Sequence, residues 1–385
     1  MSNNNIKKIA YITGTRADFG LMTPVLRAIQ KSKKLDLKVY MTGSHLMKEL
    51  GSTGQGVLKE FPDAQVVPAI FPYSDRGMAE FTGNFITKLT KKLSFDKPDL
   101  VLLLGDRVEM LCAAVACAYL GIPVGHIHGG DKSTTIDDSA RHAITKLAAI
   151  HFPATQEAAQ RIKKMGEETE RIHIVGAPAL DIISNEYLLN RKELFGQLGL
   201  DPDQKLILLT QHPVTENYER AGQQIQETIS AIRDFNLPTI ATYPHPDKGG
   251  KEIIEILKKE KAANPTFHIF PNLPYKQFLA LEKEASVWVG NSSAQIIESA
   301  SFKTPVVMVG SRQDGRLQGK NVINTGYDRK EISKAIHKSL YDKKYLAGIS
   351  KITNPWGDGK TGPRIAKILE KLNIDDRLLT KQITY

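Results

Sequence analysis

The chain has 385 residues, of which 41% are hydrophobic and 24% charged, and its formal net charge is +10. This length exceeds what one hydrophobic core usually organises, so we expect two domains. No apolar run is long enough to cross a bilayer and the polar start has no signal-peptide pattern, which predicts a cytoplasmic protein with no membrane partner. Because the basic residues are spread along the chain without interleaved aromatics, the charge favours a phosphorylated small molecule over nucleic acid.

Short apolar strands alternate with amphipathic helical segments in the first half of the chain. One predicted strand is continuously apolar after its first residue, which is typical of a strand covered on both faces. The alternation predicts a parallel, doubly wound sheet. Predicted strands cover residues 8–13, 37–42, 66–71, 99–104, 123–127 and 172–175, and predicted helices cover 21–31, 110–120 and 141–150.

The second half repeats the alternation after a polar helical stretch, residues 184–204, that we interpret as an interdomain linker. Its predicted strands cover residues 206–210, 239–243, 267–270, 287–289 and 306–309. We therefore predict an α/β protein with two Rossmann-like doubly wound domains facing across a cleft where ligands bind. The N-terminal domain spans residues 1–183, the C-terminal domain spans 184–361, and a C-terminal helix within 362–385 packs back on the first.

The turn after the first strand begins at Gly14 and leads into a helix. A dinucleotide-binding fingerprint would require a second glycine where Arg16 stands, so NAD binding is disfavoured and no cofactor is predicted. Free backbone N–H groups at such a turn suit a phosphate, and the Arg16 guanidinium adds a bidentate cation. The alternative is a plain tight turn with a surface arginine.

Asp106 and Arg107 directly follow the most buried predicted strand, so both side chains are expected at the ligand-facing edge of the sheet. Asp106 is a candidate acid or base, and Arg107 either sets its charge state or holds phosphate. The alternative is that Asp106 is an ordinary carboxylate cap at a helix start.

Alternation along the next strand places His126 and His128 on one face, and two glycines and Asp131 follow. The glycines permit an irregular backbone close to a ligand. A metal site is the alternative, but the chain supplies no clear further ligand, so no metal is predicted. The following helix begins near Asp137 and Asp138, of which one caps the helix and the other is available for chemistry.

Polar residues also follow the strands of the second half. His212 comes just after a strand and is either a ligand contact or a satisfied structural histidine. The strongest signal is a Gly-Asn-Ser-Ser turn containing Ser292 and Ser293, which predicts a phosphate cradle between a strand and a helix. Glu298 lies further along that helix, where it suits a ribose diol. The turn taken alone is an ordinary helix cap, but together with the Arg16 turn it predicts a two-sided pyrophosphate site.

These motifs together resemble those of the hydrolysing UDP-N-acetylglucosamine 2-epimerases, both the bacterial sialic-acid-pathway type and the epimerase half of its animal bifunctional counterpart. The match runs from about Lys8 to about Gly319. The motifs stand in the family's order: Thr-Arg-Ala-Asp, Gly-Asp-Arg, His-x-x-Gly-Gly-Asp, Ile-Asp-Asp-Ser-x-Arg-His-Ala-Ile-Thr-Lys, His-Pro-Val-Thr and Gly-Asn-Ser-Ser.

The resemblance implies a glycosyltransferase-B-like fold and a homodimer or homotetramer. The residues that it implies for holding UDP are Arg16, His212, Ser292, Ser293, Glu298 and Arg312. Those that it implies for lining the sugar are Asp106, His128, Asp131 and Asp137.

In the family's reaction, one group removes the proton at C2 of the sugar while UDP leaves C1, giving a 2-acetamidoglucal. Water then adds at C1 and a proton returns to C2 on the opposite face, which yields N-acetylmannosamine and UDP for sialic-acid-type synthesis. Because the C2 proton is weakly acidic, the base must be well placed and the departure of UDP must be assisted. We hypothesise that Asp106 and Asp137 are the acid/base pair.

Three positions depart from the family's pattern. Some members carry Glu at His128 and Glu is usual at Asp131, which leaves open which residue acts on which face of the ring. The usual Asn is His245 here, which suggests a changed sugar pocket. The alternative substrate is therefore UDP-2,4-diacetamido-2,4,6-trideoxyglucose of the legionaminic-acid pathway, processed by the same chemistry. A glycosyltransferase and a non-catalytic UDP-sugar binder are further alternatives, although the surplus of carboxylates at the predicted cleft argues against the binder.

Overall fold

A computed structural model describes residues 6–47, 53–71, 76–132, 137–185, 187–244, 248–271 and 273–385. The contacts divide the chain into two compact units: unit 1 is Met1–Ser184 with Trp356–Tyr385, and unit 2 is Asn185–Pro355. Residues 356–361, which the sequence analysis places in the second domain, lie with unit 1. None of the helices in the described ranges has the length and apolarity needed to cross a membrane.

Within its described residues, unit 1 contains a six-stranded parallel sheet in the order β3-β2-β1-β4-β5-β6. The strands are β1 (Lys7–Thr13), β2 (Leu35–Met41), β3 (Gln65–Val66), β4 (Leu100–Leu104), β5 (Val124–Ile127) and β6 (Ile150–Phe152). The helices that join and follow them are α1 (Arg16–Gln30), α2 (Gly54–Glu60), α3 (Gly77–Asp96), α4 (Val108–Leu120), α5 (Asp137–Leu147), α6 (Gln156–Lys164) and α7 (Ala179–Asn185).

Unit 2 also contains a six-stranded parallel sheet among its described residues, in the order β12-β11-β10-β7-β8-β9. Its strands are β7 (Ile207–Thr210), β8 (Thr239–Thr242), β9 (Phe267–Phe270), β10 (Val287–Gly290), β11 (Val306–Val309) and β12 (Val322–Thr325). Its helices are α8 (Arg191–Leu198), α9 (Ala221–Arg233), α10 (Gly250–Ala263), α11 (Tyr275–Glu284), α12 (Ser293–Ile297), α13 (Ser299–Phe302), α14 (Arg329–Tyr341) and α15 (Lys343–Ile349). The chain then returns to unit 1 with α16 (Thr361–Lys371) and α17 (Asp376–Leu379).

Side chains of the central strands in unit 1 alternate between two hydrophobic layers. Ile9 and Tyr11 of β1 pack with α1 and α16 on one face, whereas Ala10 and Ile12 pack with α3 and α4 on the other. This period-two alternation, with both faces covered, explains why the strands are almost wholly apolar.

The two sheets share one strand order. Counted from the first strand of each unit, both read 3-2-1-4-5-6, so the order reverses between β1 and β4 in unit 1 and between β7 and β10 in unit 2. Doubly wound sheets bind ligands beyond the carboxyl ends of the strands at this switch point. The segments placed there begin at Gly14 and Gly105 in unit 1 and at Gln211 and Asn291 in unit 2.

Several predicted elements differ in the structure. The predicted strand at 172–175 is wrong, because only Ile172 of this segment makes a parallel bridge, to His151. The sixth strand is β6 instead. It follows α5 almost directly, so its residues were included in the predicted helix 141–150. The predicted strand 66–71 shrinks to β3. The stretch interpreted as a linker contains α8, which packs against α11 and buries Phe195. The helix α3 and the edge strand β12 are present in the structure but were not predicted from the sequence.

Candidate functional site

The first turn of unit 1 is filled by a carboxylate from its own helix. Asp18 is buried and accepts hydrogen bonds from the backbone N–H groups of Gly14 and Thr15, each at 3.0 Å, and from the Thr13 hydroxyl at 2.8 Å. These contacts make a capping box with Thr15. Asp18 therefore occupies the N–H groups of Gly14 and Thr15, two of the backbone donors at the turn that the sequence predicts for phosphate.

The cations predicted near this turn have different surroundings. Arg16 is the first residue of α1 and its side chain is exposed. Arg107 forms a two-pronged ion pair with the fully buried Glu109, through Nε at 3.2 Å and Nη2 at 3.0 Å. A side chain at Gly14 would overlap the Glu109 carboxylate, so the glycine is needed where β1 approaches α4. Arg107 is thus held mainly by Glu109, while another arginine pairs with Asp106.

That arginine is Arg141 of α5. One of its terminal nitrogens forms an ion pair with Asp106 and the other donates to the backbone carbonyl of His128 at 2.8 Å, while Nε lies 3.7 Å from Asp138. Burial raises the pKa of Asp106; Arg141 acts against this increase, and Asp137 and Asp138 add to it. Asp106 thus sits in an acidic environment balanced by one buried guanidinium, which suits a group that exchanges protons.

His128 lies beside this pair with an unusual backbone conformation. Its φ is +61°, in the left-handed region that residues with a side chain seldom adopt. The ring pairs through Nδ1 with Asp131 Oδ2 at 2.7 Å and its centroid lies 6.3 Å from that of Trp356. Strain of this kind persists where the surroundings hold it and is frequent at functional sites. We refer to Asp106, His128, Asp131, Asp137 and Arg141 as the carboxylate cluster.

His126 ties together the two segments that carry this cluster. Its Nε2 contacts the carbonyl of Gly105 at 2.8 Å and its Nδ1 contacts the Thr145 hydroxyl of α5 at 3.2 Å. Burial lowers the pKa of His126 to about 3, so the ring is neutral at physiological pH. A carbonyl can only accept, so Nε2 carries the proton and Nδ1 is the unprotonated nitrogen beside the Thr145 hydroxyl, which itself donates to the Arg141 carbonyl at 3.0 Å. In the structure His126 therefore links the segment after β4 to α5, although the sequence places it on the same strand face as His128.

At the switch point of unit 2, β7 and β10 are joined by a reciprocal pair of hydrogen bonds. The His212 N–H donates to Asn291 Oδ1 at 2.7 Å, and Asn291 Nδ2 donates to the His212 carbonyl at 2.9 Å. Gly290 precedes Asn291 with φ of +136°, and a side chain there would overlap the carbonyl of Thr210. His212 is buried at the end of β7, where these bonds fix its backbone.

The Ser-Ser turn follows directly. Ser292 is the N-cap of α12: its hydroxyl accepts from the Ala294 N–H and the Gln295 side chain accepts from the Ser292 N–H. Ser293 is the first residue of α12. Arg312, after β11, donates to the Asn291 carbonyl at 3.2 Å. The turn is therefore an N-cap, as the alternative interpretation has it, and it gathers Ser292, Ser293 and Arg312 at one edge of the sheet.

Glu298 ends α12 and is 5% exposed. Its neighbour is a second buried carboxyl, Glu282 of α11, and burial raises the pKa of both groups, that of Glu298 to about 7. Among the described residues, Oε2 of Glu298 and both carboxyl oxygens of Glu282 meet no hydrogen-bond donor. Buried polar atoms without partners are rare in folded proteins, so these oxygens are candidate acceptors for a ligand hydroxyl.

The sequence analysis missed Arg141, Glu109, Asn291 and Glu282 as members of these sites. A local signal exists for Arg141, because it stands four residues after Asp137 and so on the same face of α5. Glu109 stands two residues after its ion-pair partner Arg107. Asn291 and Glu282 act on separate elements, and no sequence spacing reveals such contacts. The predicted site residue His245 lies outside the described residues.

Both units have the doubly wound, Rossmann-like architecture with polar groups at the switch point. The protein is therefore an α/β protein of the doubly wound class with two such units. Residues 27–370 match the family model described as UDP-N-acetylglucosamine 2-epimerase, and the chain belongs to this family.

Three relatives are informative. The chain is 39% identical to a hydrolysing UDP-N,N'-diacetylbacillosamine 2-epimerase from Legionella pneumophila, over 99% of this chain and 100% of the relative. It is 36% identical to a UDP-N-acetylglucosamine 2-epimerase from Neisseria meningitidis, over 89% and 90% of the two chains. It is 34% identical to a hydrolysing GDP/UDP-N,N'-diacetylbacillosamine 2-epimerase from Campylobacter jejuni, over 83% and 84%.

The fold also resembles solved structures. The UDP-GlcNAc 2-epimerase from Neisseria meningitidis bound to UDP-GlcNAc superposes with a TM-score of 0.79 at 22% identity, over 95% of this chain and 100% of that one. This likeness confirms the predicted fold class of two parallel-sheet α/β domains.

Proposed function

We propose that the chain is a hydrolysing 2-epimerase whose substrate is UDP-2,4-diacetamido-2,4,6-trideoxyglucose, that is, UDP-N,N'-diacetylbacillosamine. Two of the three relatives reported above, including the one at 39% identity over nearly the whole chain, carry this substrate in their names. These relatives favour the alternative substrate of the sequence analysis over UDP-N-acetylglucosamine. The departures from the family's pattern at His128, Asp131 and His245 are in keeping with a changed sugar pocket.

The observation that carries the chemistry is the carboxylate cluster of unit 1. A base removes the C2 proton as the C1–O bond breaks and UDP departs with the bonding electrons, leaving a glycal. Water then adds its hydroxyl to C1 and an acid returns a proton to C2 from the other face. We assign the acid and base roles to Asp106 and Asp137, because Asp137 acts electrostatically on Asp106, which is paired with Arg141. The His128–Asp131 pair is a second proton carrier beside them.

We assign the nucleotide to unit 2. His212, Ser292, Ser293 and Arg312 converge at the switch point, and the unpartnered Oε2 of Glu298 offers an acceptor to a ribose hydroxyl. The exposed guanidinium of Arg16 is then the contribution of unit 1 to the departing diphosphate. After Asp18 is taken into account, this side chain rather than the turn backbone is the expected phosphate contact.

UDP-N-acetylglucosamine is the second candidate substrate. The relative from Neisseria meningitidis is 36% identical and carries that activity in its name, and the family model has the same description. The two substrates share the 2-acetamido group and UDP, so the reacting atoms are the same. They differ in the substituents at C4 and C6 of the ring.

The test is proton NMR in D2O with both UDP-sugars. We expect free UDP and a 2-epimerised free sugar that carries deuterium at C2. We also expect the kcat/KM for the diacetamido sugar to exceed that for UDP-N-acetylglucosamine by about tenfold or more, the discrimination that one or two substituents in a fitted pocket usually provide.

The Asp106→Asn variant tests the acid/base role directly, since it keeps the shape of the side chain and removes its basicity. It should bind UDP with near wild-type affinity and incorporate little deuterium. Wild-type turnover by this variant would refute the role of Asp106. Absence of deuterium incorporation with either sugar would refute the epimerase assignment, and a preference for UDP-N-acetylglucosamine would select the second candidate.

A further inference from the structure

The indole of Trp356 lies beside the ring of His128, where the chain returns from unit 2 to unit 1. Trp356 is 2% exposed, its ring centroid lies 6.3 Å from that of His128, and the two ring planes are inclined by 33°. Aromatic rings at this separation contact one another directly. The proposed reaction assigns Trp356 no part, although this buried side chain adjoins a member of the carboxylate cluster.

The backbone around Trp356 is fixed within unit 1. Its carbonyl accepts a hydrogen bond from the Ala177 N–H at 2.8 Å. Gly357 and Gly176 have φ of +135° and +93°, and a side chain at Gly357 would lie 3.0 Å from the Gly176 Cα, closer than packed atoms normally approach. The two segments therefore pack backbone against backbone, as glycines permit, and this contact holds the indole in place beside His128.

Two further contacts hold His128 from other directions. Arg141 donates to the His128 carbonyl at 2.8 Å, which fixes the backbone in its left-handed conformation, and Asp131 Oδ2 pairs with Nδ1 of the ring at 2.7 Å. One hydrogen bond at one nitrogen still allows the plane of the ring to turn, because the last torsion of a histidine side chain has broad minima. The indole of Trp356 supplies a contact that restricts this rotation.

The partner at Nδ1 also decides which ring nitrogen serves the reaction. An ionised carboxylate accepts and does not donate, so Nδ1 bears a proton and Nε2 is the nitrogen that takes or returns one. We propose that Trp356 is a positioning residue whose indole holds the plane of the His128 imidazole against Asp131, so that Nε2 is presented for proton transfer. This inference rests on the proposed function, because it takes His128 as a proton carrier in the epimerisation.

The first experiment measures initial rates and calorimetric UDP binding for two replacements of Trp356, with whichever UDP-sugar the wild-type protein turns over. Trp356→Phe keeps a flat aromatic ring and should retain kcat within about threefold. Trp356→Leu removes the ring and should lower kcat by about tenfold to thirtyfold with UDP affinity unchanged, because a loosely held proton carrier is out of place for much of the time. A Leu variant with wild-type kcat would overturn the proposal.

Phe85→Leu is the matched control for lost aromatic packing. Phe85 is fully buried in α3 and stacks on Phe81, with ring centroids 5.3 Å apart, so its replacement also removes an aromatic contact inside unit 1. It should lower stability yet change kcat by less than about twofold. A loss of kcat equal to that of Trp356→Leu would mean that Trp356 acts only through general stability.

A double-mutant cycle with His128→Gln tests whether Trp356 acts through His128. The Gln variant removes the proton carrier, and we expect it to lower kcat by about 100-fold. In that background Trp356→Leu should change kcat by less than about twofold, although it costs about tenfold or more when His128 is present. The same factor in both backgrounds would overturn the proposal.

Nitrogen-15 NMR of the histidine rings gives a readout that needs no turnover. The His128 resonances are identified by their loss in His128→Gln, and at mildly alkaline pH we expect the proton on Nδ1. The ring current of Trp356 should displace the ring protons of His128, and Trp356→Leu should abolish this displacement. A neutral ring with its proton on Nε2, or resonances that do not move in the Leu variant, would overturn the proposal.

Failure of the two levels can be told apart. If the wild-type protein turns over neither sugar, the proposed function and this inference fall together. Turnover accompanied by unmoved His128 resonances overturns only the inference. If Trp356→Leu does not fold, Trp356→Met, whose flexible side chain fills irregular space, takes its place in every comparison.

Discussion

Arg141 is the residue through which the acid/base cluster of unit 1 is organised. It contacts the Asp106 carboxylate and the His128 carbonyl at once, and its Nε faces Asp138. A guanidinium presents several donors in a fixed plane, which an ammonium group does not. The strained backbone of His128 and the charge state of Asp106 therefore depend on the same side chain.

Replacement of Arg141 by Lys should lower kcat roughly 100-fold with little change in UDP affinity. Lysine keeps the charge but reaches only one of the two contacts, so Asp106 or His128 shifts away from the position needed for proton transfer. Initial rates and calorimetric UDP binding on the same preparation provide the measurement.

Arg161→Lys is the matched control for this change. Arg161 also donates to a backbone carbonyl of the neighbouring segment, that of Gly130 at 2.9 Å, but has no ion pair with Asp106. Its replacement should change kcat by less than about threefold. Equal losses in both variants would mean that Arg141 acts through general stability.

At the scale of single residues, the sequence predicts site residues by their position just after a strand. Asp106, His128 and Ser292 are predicted site residues because strand ends in a parallel sheet meet at one edge. Asp18 shows why such reasoning stops short: the N–H groups of a turn look available until a carboxylate three residues ahead is known to fold back on them. Glu282 gives no signal at all, since its partner lies in another helix.

Among the elements, α16 shows how a helix can be capped from a distance. The buried Asp181 of α7 accepts hydrogen bonds from the N–H groups of Thr361 at 2.8 Å and Gly362 at 2.7 Å. Gly362 itself lies against the backbone of α1 at Pro24, where a side chain would be tightly placed. The start of α16 is thus fixed by a carboxylate 180 residues earlier in the chain.

Asp181→Ala should therefore lower the free energy of unfolding by about 2 to 4 kcal/mol, because two buried N–H groups lose their acceptor. Urea denaturation followed by far-ultraviolet circular dichroism measures the change. The local cap Asp328, which accepts from the Glu331 N–H at the start of α14, is the comparison: Asp328→Ala should cost about 1 kcal/mol. An Asp181 variant no less stable than the Asp328 variant would contradict this account.

Elements with a strong apolar period were predictable and short edge elements were not. The strand β4 is buried along its whole length and was predicted correctly, whereas β12 is a half-exposed strand that lies beside β11 at the edge of the sheet. The period of α3 was present in the sequence, since Phe81, Phe85, Leu89 and Leu93 are buried four residues apart. It has no side-chain cap at its start, which is the signal that would have marked it.

For the whole molecule, the fold class was predictable because strand–helix alternation permits few arrangements. The exact strand order was not, since hydrophobic periodicity does not specify which strands are neighbours. The protonation of the two units also differs in a way that the sequence does not reveal. Unit 1 buries neutral histidines, and unit 2 buries the carboxyl pair formed by Glu282 and Glu298.

Acidification from pH 7.5 to 5.5 should therefore destabilise unit 1 relative to unit 2. Burial lowers the pKa of His45 to about 4 and that of His126 to about 3, so the unfolded chain takes up protons first as the pH falls below 6.5. Each histidine then costs about 1.4 kcal/mol of stability per pH unit at most. The glutamate pair has raised pKa values, so folded unit 2 binds protons that the unfolded chain does not and gains stability over the same range.

Urea-dependent hydrogen exchange, resolved by mass spectrometry and corrected for intrinsic rates, reports the two units separately. His45→Gln should reduce the acid sensitivity of unit 1, while substitution of the exposed His337 by Gln should leave both units unchanged. A parallel loss of stability in the two units would show that the buried histidines do not govern the acid response.

The division of unit 1 into two stretches of chain affects how the protein is made on the ribosome. Residues 1–184 are synthesised first, yet α16, which covers α1 in the native core, is translated only after the whole of unit 2. Unit 2 is encoded without interruption and its entire core is available as soon as Pro355 has emerged. The nascent first stretch must therefore keep the apolar face of α1 from aggregating during the synthesis of 171 further residues, 185–355, and we expect chaperones to bind this face in that interval.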